Sequence, residues 1–197
     1  MEGQINKQIA KNEFSHTQTL QTISEKGRYK ICKQTRSEIF NLYHVSRQIE
    51  LTNQEDECFF SDAPTLADLN DIYGDGTSQE WLVYQFCDLS EFCGAREKIS
   101  IPQIRALVEL ITSEYKWLKL TEIMLFLRRF KLGCYEKFYG AIDPLVIMRS
   151  IKDFLKERNL AWGEREEIIQ KNERSSYEKN AITRAEYDKL REIQNRK

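Results

Sequence analysis

Only three prolines and eight glycines interrupt this chain of 197 residues. A fold of many short strands needs a turn signal every ~8–12 residues, and so few breakers cannot supply them. What remains is a set of helices joined by short loops, and the apolar spacing agrees. In the segment Leu118–Leu132, Leu120, Ile123, Met124, Leu127 and Phe130 make one stripe while Leu125 and Phe126 cover another side. A helix apolar nearly all round belongs at the centre of a core. Arg128, Arg129 and Lys131 lie in its last turns before Gly133, where cations suit the negative end of the helix dipole.

Other helices are placed by their start and stop signals. Residues 34–50 carry a helical spacing through Ile39, Leu42, Tyr43 and Ile49, and residues 51–62 read as a loop anchored by Cys58-Phe59-Phe60. Thr65-x-x-Asp68 predicts a capped short helix ending near Tyr73-Gly74. Asp75-Gly76 is a turn, and Thr77-x-x-Glu80 has the form of a capping box opening a helix that carries Trp81, Leu82, Phe86, Leu89 and Cys93 and stops at Gly94. Ser100-x-x-Gln103, with Pro102 tolerated in the first turn, opens another with Ile104, Leu107, Val108, Ile111 and Tyr115 on one face. Asp143-Pro144 is an N-cap followed by proline at the first helical position, leading into Ile147, Met148, Ile151, Phe154 and Leu155. Thr183-x-x-Glu186 caps a thin final helix. The expected fold is all-α: an irregular bundle of five or six helices over residues 34–162. A polar, basic tail over 1–33 and a charged helical extension over 163–197 flank it. Hydrophobic residues at 41% can fill such a core, and charged residues at 31% exceed the usual quarter, as long solvated helix faces require.

The net charge of −1 conceals an asymmetry. Residues 48–95 contain no Lys or Arg but many acids, among them Glu50, Glu55, Glu80, Asp88 and Glu91. The flanks are basic, with Lys26, Arg28, Lys30, Lys33 and Arg36 before the stretch and Arg128, Arg129, Lys131 and Lys137 after it. Such a layout favours a charged partner or self-association, unless the fold intermixes these charges in space.

The cysteines, Cys32, Cys58, Cys87, Cys93 and Cys134, are odd in number and irregularly spaced, and the histidines are His16 and His44. This predicts reduced thiols in a reducing compartment rather than a disulfide frame or a zinc site. The first residues hold no apolar signal core, and no apolar run approaches the ~20 residues of a membrane span, so the cytoplasm is the expected location. There is no phosphate-binding glycine loop and no His-Glu-x-x-His. Asp68, Asp71 and Asp75 are spaced to hold a metal from a helix and its turn, but an acidic surface explains them more simply. The expectation is no catalytic site, no cofactor and no metal.

One segment stands out. From Arg128 to Pro144, the cations Arg128, Arg129, Lys131 and Lys137 interleave with Phe130, Tyr135, Phe138 and Tyr139 around two glycines, Gly133 and Gly140. Cations hold phosphates and aromatic rings stack on bases, so this mixture suits single-stranded nucleic acid. It equally suits a protein partner that seeks tyrosine and arginine anchors. It also suits a tight corner between two helices. The candidate binding residues are Arg128, Arg129, Lys131, Tyr135, Lys137 and Tyr139, with Asp143 as a structural cap. Tyr115-Lys116-Trp117-Leu118-Lys119 is a second aromatic and basic cluster, read as an inter-helix corner.

The run Tyr115-x-x-Leu118-Lys119-Leu120-x-Glu122-x-x-Leu125-Phe126-x-x-Arg129-Phe130-Lys131-x-Gly133-x-Tyr135-x-x-Phe138-Tyr139-Gly140-x-x-Asp143 resembles small helical proteins encoded on prophages and conjugative elements of gut bacteria. Pro64-Thr65-Leu66-Ala67-x-Leu69, Trp81-Leu82 and Phe154-x-x-Glu157-Arg158 fit the same pattern, which spans about residues 64–158. Members of that family look like replication accessory proteins analogous to phage helicase loaders. The resemblance implies a non-enzymatic accessory factor in mobile-element DNA replication, binding a replicative helicase or another replication protein, with single-stranded nucleic acid as a further partner. Cys134 and Glu136 depart from the more basic or glycine-rich residues expected around Tyr135, and Glu136 weakens a phosphate-binding loop. The alternative is a regulator or inhibitor acting through the acidic 48–95 surface.

Overall fold

The computed structural model describes residues 32–94, 96–136, 138 and 142–180, with the backbone alone for 178–180. The expected N-terminal tail, apart from its last two residues, and the Thr183 helix lie outside them. The described residues are all-α: α1 (Arg36–Leu42), a 3-10 turn (Val45–Arg47), α2 (Gln48–Leu51), α3 (Glu55–Phe60), α4 (Leu66–Tyr73), α5 (Thr77–Cys93), α6 (Ile101–Glu114), α7 (Leu120–Lys131) and α8 (Pro144–Asn180). The chain divides into two compact units between Phe154 and Leu155.

In the first unit, α7 is the hub. Every residue from Leu120 to Leu127 is buried, and so is Phe130. A helix submerged on all sides has to satisfy polar groups without water. Its N-terminus does so locally, where the Glu122 carboxylate accepts the Lys119 N–H at 2.9 Å. Its polar side chains then finish its neighbours. Lys119 Nζ donates to the carbonyls of Phe59 and Ser61, each at 2.7 Å, and Thr121 Oγ1 donates to that of Cys58 at 2.9 Å. These are the orphan carbonyls at the C-terminus of α3. Phe126 and Phe130 meet Phe154, Tyr135 and Phe138 in a cluster that Phe59 joins through Phe154: Phe126 lies 5.7 Å from Phe154, and Phe130 stacks on Phe138 at 5.2 Å.

Several sequence signals are realised in place. The Thr65–Asp68 and Ser100–Gln103 capping boxes form, Gly94 ends α5 in the left-handed region, and Asp143 Oδ1 accepts the Leu145 N–H at 2.8 Å. Others are corrected. The expected helix over 34–50 is broken, because Tyr43 caps α1 and His44 starts the 3-10 turn. The expected loop 51–62 contains α3, whose first turn of Glu55, Asp56 and Glu57 matches the positive end of the helix dipole. Thr77-x-x-Glu80 does not cap α5. Gly76, at φ 86°, occupies the N-cap position, Thr77 Oγ1 donates back to the Gly74 carbonyl at 2.7 Å, and Glu80 is taken by Arg36.

In the second unit, α8 continues through Gly163 to Asn180. One glycine costs about 1 kcal/mol against alanine, and the Glu, Arg and Lys residues that follow are good helix formers. The Arg158 guanidinium lies 5.6 Å from the Trp162 ring centroid one turn on. Leu160, Ile168, Ile169 and Tyr177 are exposed.

Burial pushes the Tyr43 hydroxyl up to about 12. The Cys58 thiol is pushed up to about 11, first by burial and then by the charges of Glu55 and Glu122. The unfolded chain would release both protons earlier as pH rises, so the stability these groups confer is complete below about pH 9 and is lost towards the folded values. The urea midpoint is expected to be lower at about pH 10.5 than at about pH 8; an equal midpoint would show that neither group is shielded. Alkylation by iodoacetamide at neutral pH is expected first at the exposed Cys32 and Cys134. Cys58, whose Sγ donates to the Gln54 carbonyl at 3.4 Å, should react only on unfolding, as peptide mass mapping would show.

Candidate functional site

The cations picked out by sequence are turned to structural work. Arg128 donates to the Thr52 carbonyl and, at 3.3 Å, to its hydroxyl, which closes the C-terminus of α2. Arg129 grips Glu55 with two bonds, Nε at 3.2 Å and Nη2 at 2.6 Å, and lies 5.8 Å from the Phe154 ring centroid. Lys131 bonds the Gln48 side-chain oxygen at 2.7 Å, pairs with Asp88 and passes over the Phe92 ring. Tyr135 packs on Phe126 and Phe130 at 5.4 and 5.6 Å. Lys137 and Tyr139 lie outside the described residues. Among the described members of the set, the geometry is that of a helix–helix corner.

The same contacts place the acidic stretch. Glu55 meets Arg129, Asp88 meets Lys131, Glu80 meets Arg36 and Glu91 meets Lys98. Charges separated in sequence are thus intermixed in space. Asp68 serves as the α4 cap, and among the described residues no group of three His, Cys, Asp or Glu is placed to hold a metal ion.

A different site assembles where α1 ends against the first half of α5. Thr35 and Glu38 close a capping box that starts α1, and Ile39 buries its inner face. Tyr43 ends the helix with its carbonyl pointing at α5. Trp81 and Gln85, one turn apart, both donate to that carbonyl, Nε1 at 3.0 Å and Nε2 at 3.1 Å. Both lone pairs of the Tyr43 oxygen are therefore filled, and the Gln85 amide is fixed in orientation. Its other end, Oε1, is buried and has no hydrogen-bond partner among the described residues.

Above these groups lies a pocket of about 220 Å³ lined by Phe40, Asn41, Tyr43, His44, Val45, Trp81, Tyr84 and Gln85. Trp81 and Gln85 are fully buried, and Phe40 and Tyr84 meet edge to face at 6.4 Å. Tyr84 is 57% exposed and marks the rim. His44 Nδ1 accepts the Ser46 N–H at 3.2 Å, which commits the ring to capping the 3-10 turn. Among the described residues the lining contains no carboxylate, thiol or amine. The arrangement can hold an apolar ring beside a buried amide oxygen, with Asn41, His44 and Tyr84 as further polar side chains of the lining. Sequence reasoning missed this site, since Trp81 was read as core and Tyr84 and Gln85 were passed over. The available signal was the polar Gln85 on the apolar side of α5, one turn from Trp81.

Residues 98–197 match DUF6633, a family of unknown function, and that span is 100 of the 197 residues. The chain belongs to the DUF6633 family. No curated protein and no solved structure matches it. The matched region contains α6, α7 and α8 with Arg128, Arg129 and Lys131, while the pocket residues of this DUF6633 protein precede it.

If the α7 cations are structural, removing one weakens the fold. The Lys131 side chain is only 16% exposed, so Lys131→Ala should lower stability by about 1–2 kcal/mol, read as a drop in urea midpoint with unchanged slope. A midpoint equal to wild type would return Lys131 to the pool of free surface cations.

Proposed function

We propose that this DUF6633 protein is a non-enzymatic binding protein, an accessory factor that engages a protein partner through the pocket between α1 and α5. The supporting observation is the Gln85 amide oxygen, buried and, among the described residues, unpaired in a side chain that lines this aromatic pocket. An unpaired buried acceptor costs about 1–3 kcal/mol, a cost removed when a partner brings a donor. The setting in mobile-element DNA replication, with a replicative helicase or related protein as partner, rests on the resemblance over residues 64–158. Location in the cytoplasm belongs to the same reading; among the described residues no helix is long and apolar enough to cross a membrane. The inward pairing of Arg128, Arg129 and Lys131 argues against their forming a nucleic-acid surface. The pairing of Glu55, Glu80 and Asp88 argues against an acidic inhibitor face.

The test is capture from host lysate, with and without nuclease, by wild type, Phe40→Ala/Tyr84→Ala and Arg129→Ala/Tyr135→Ala proteins, each checked for helicity by circular dichroism. A protein retained by wild type irrespective of nuclease and lost from Phe40→Ala/Tyr84→Ala is expected. Loss of one aromatic hot spot costs on the order of 2 kcal/mol, or roughly 30-fold in affinity. Equal retention by the folded Phe40→Ala/Tyr84→Ala protein, or retention abolished by nuclease, would overturn the proposal.

A further inference from the structure

We infer that the pocket accepts the ring of a partner's tryptophan or tyrosine, whose own N–H or O–H donates to Gln85 Oε1. The inference rests on the protein-binding reading above and specifies the chemistry of the anchor.

Size sets the first limit. At about 220 Å³ the pocket falls below the ~300–1,000 Å³ of typical small-molecule and cofactor sites, so it suits one side chain rather than a whole cofactor. Shape sets the second. Phe40, Tyr43, Trp81 and Tyr84 present ring faces and edges, which favour another ring at an offset or edge-on geometry. The third limit is the hydrogen bond. Gln85 Nε2 is committed to the Tyr43 carbonyl, so the amide cannot turn over without breaking that bond, and Oε1 stays an acceptor. A leucine, methionine or phenylalanine anchor would leave it unpaired.

Charge sets the fourth. A carboxylate guest would leave Gln85 Oε1 unpaired, since it brings an acceptor to an acceptor there. A lysine or arginine guest would find no carboxylate in the described lining. It would also meet Arg36, 5.4 Å from the Phe40 ring centroid, and Arg47, two residues beyond Val45. Both arginines are already paired, with Glu80 and Glu50. A nucleotide phosphate would find no Lys or Arg on α5, and Arg36 and Arg47 nearby are already held by Glu80 and Glu50. A neutral, flat, donor-bearing side chain satisfies all four limits. Oε1 has almost no water contact, so the guest reaches it only by displacing the side chains that cover it.

The probes are indole and benzofuran, which have nearly the same shape and differ by N–H against ring oxygen. They are titrated to about 10 mM into the full-length protein and followed by NMR. Indole is expected to shift the Trp81, Tyr84 and His44 signals and to bind at least about tenfold more tightly than benzofuran. In Gln85→Met the two should bind alike. Equal binding of both probes by wild type overturns the inference even if Gln85→Met fails to fold. So does tighter binding of adenosine monophosphate than of indole, or perturbation confined to other residues. Failure here leaves the protein-binding reading to be judged by capture with Phe40→Ala/Tyr84→Ala alone, so the two can fail separately.

Discussion

The burial of α7 on every side is the constraint on which the rest of the first unit depends. A helix with no wet face brings its polar side chains into the interior, and each must find a partner there. Lys119, Thr121 and Arg128 find theirs in the carbonyls that end α2 and α3. The arrangement works in both directions. Helices as short as α2 and α3 are marginal by themselves because nucleation is costly, and what holds them is the supply of donors from α7 to their open ends. Gln48 Nε2 returns the connection by donating to the Met124 carbonyl at 3.2 Å.

This explains which parts of the fold are legible in the sequence. Signals that act over three or four residues survive folding: the Thr65–Asp68 and Ser100–Gln103 boxes, Gly94, and Asp143 before Pro144. The α3 helix is invisible locally because its stabilising donors lie some sixty residues away, at Lys119 and Thr121. Thr77-x-x-Glu80 misleads for the same reason, since Arg36, 44 residues distant in sequence, competes for the carboxylate and Gly76 at positive φ supplies the turn without a side-chain cap.

The functional residues follow the same logic. Arg128, Arg129 and Lys131 look like a surface because their sequence neighbours include tyrosines and glycines. Their real neighbours are Thr52, Glu55, Gln48 and Asp88. A basic cluster near a helix C-terminus and an acidic stretch elsewhere in the chain attract one another before either meets a partner. The pocket has the opposite history. Its residues come from two segments about forty apart, 40–45 and 81–85, and neither carries a motif. The shared acceptor at Tyr43 and the Phe40–Tyr84 ring contact draw them together.

The helix α5 links these two halves. Trp81, Gln85, Asp88 and Phe92 fall at i, i+4, i+7 and i+11, one line along the helix. The first two form the pocket floor; the last two receive Lys131 from α7. At 1.5 Å per residue the pocket floor and the α7 contact are separated by roughly 10 Å of continuous helix. The orientation of Gln85 is thereby set from both ends: by the Tyr43 carbonyl directly, and by the seating of α5 against α7. Since α7 lies within residues 98–197 and the pocket does not, the part of the chain that matches the family acts here as the support, and the pocket is built on what it holds in place.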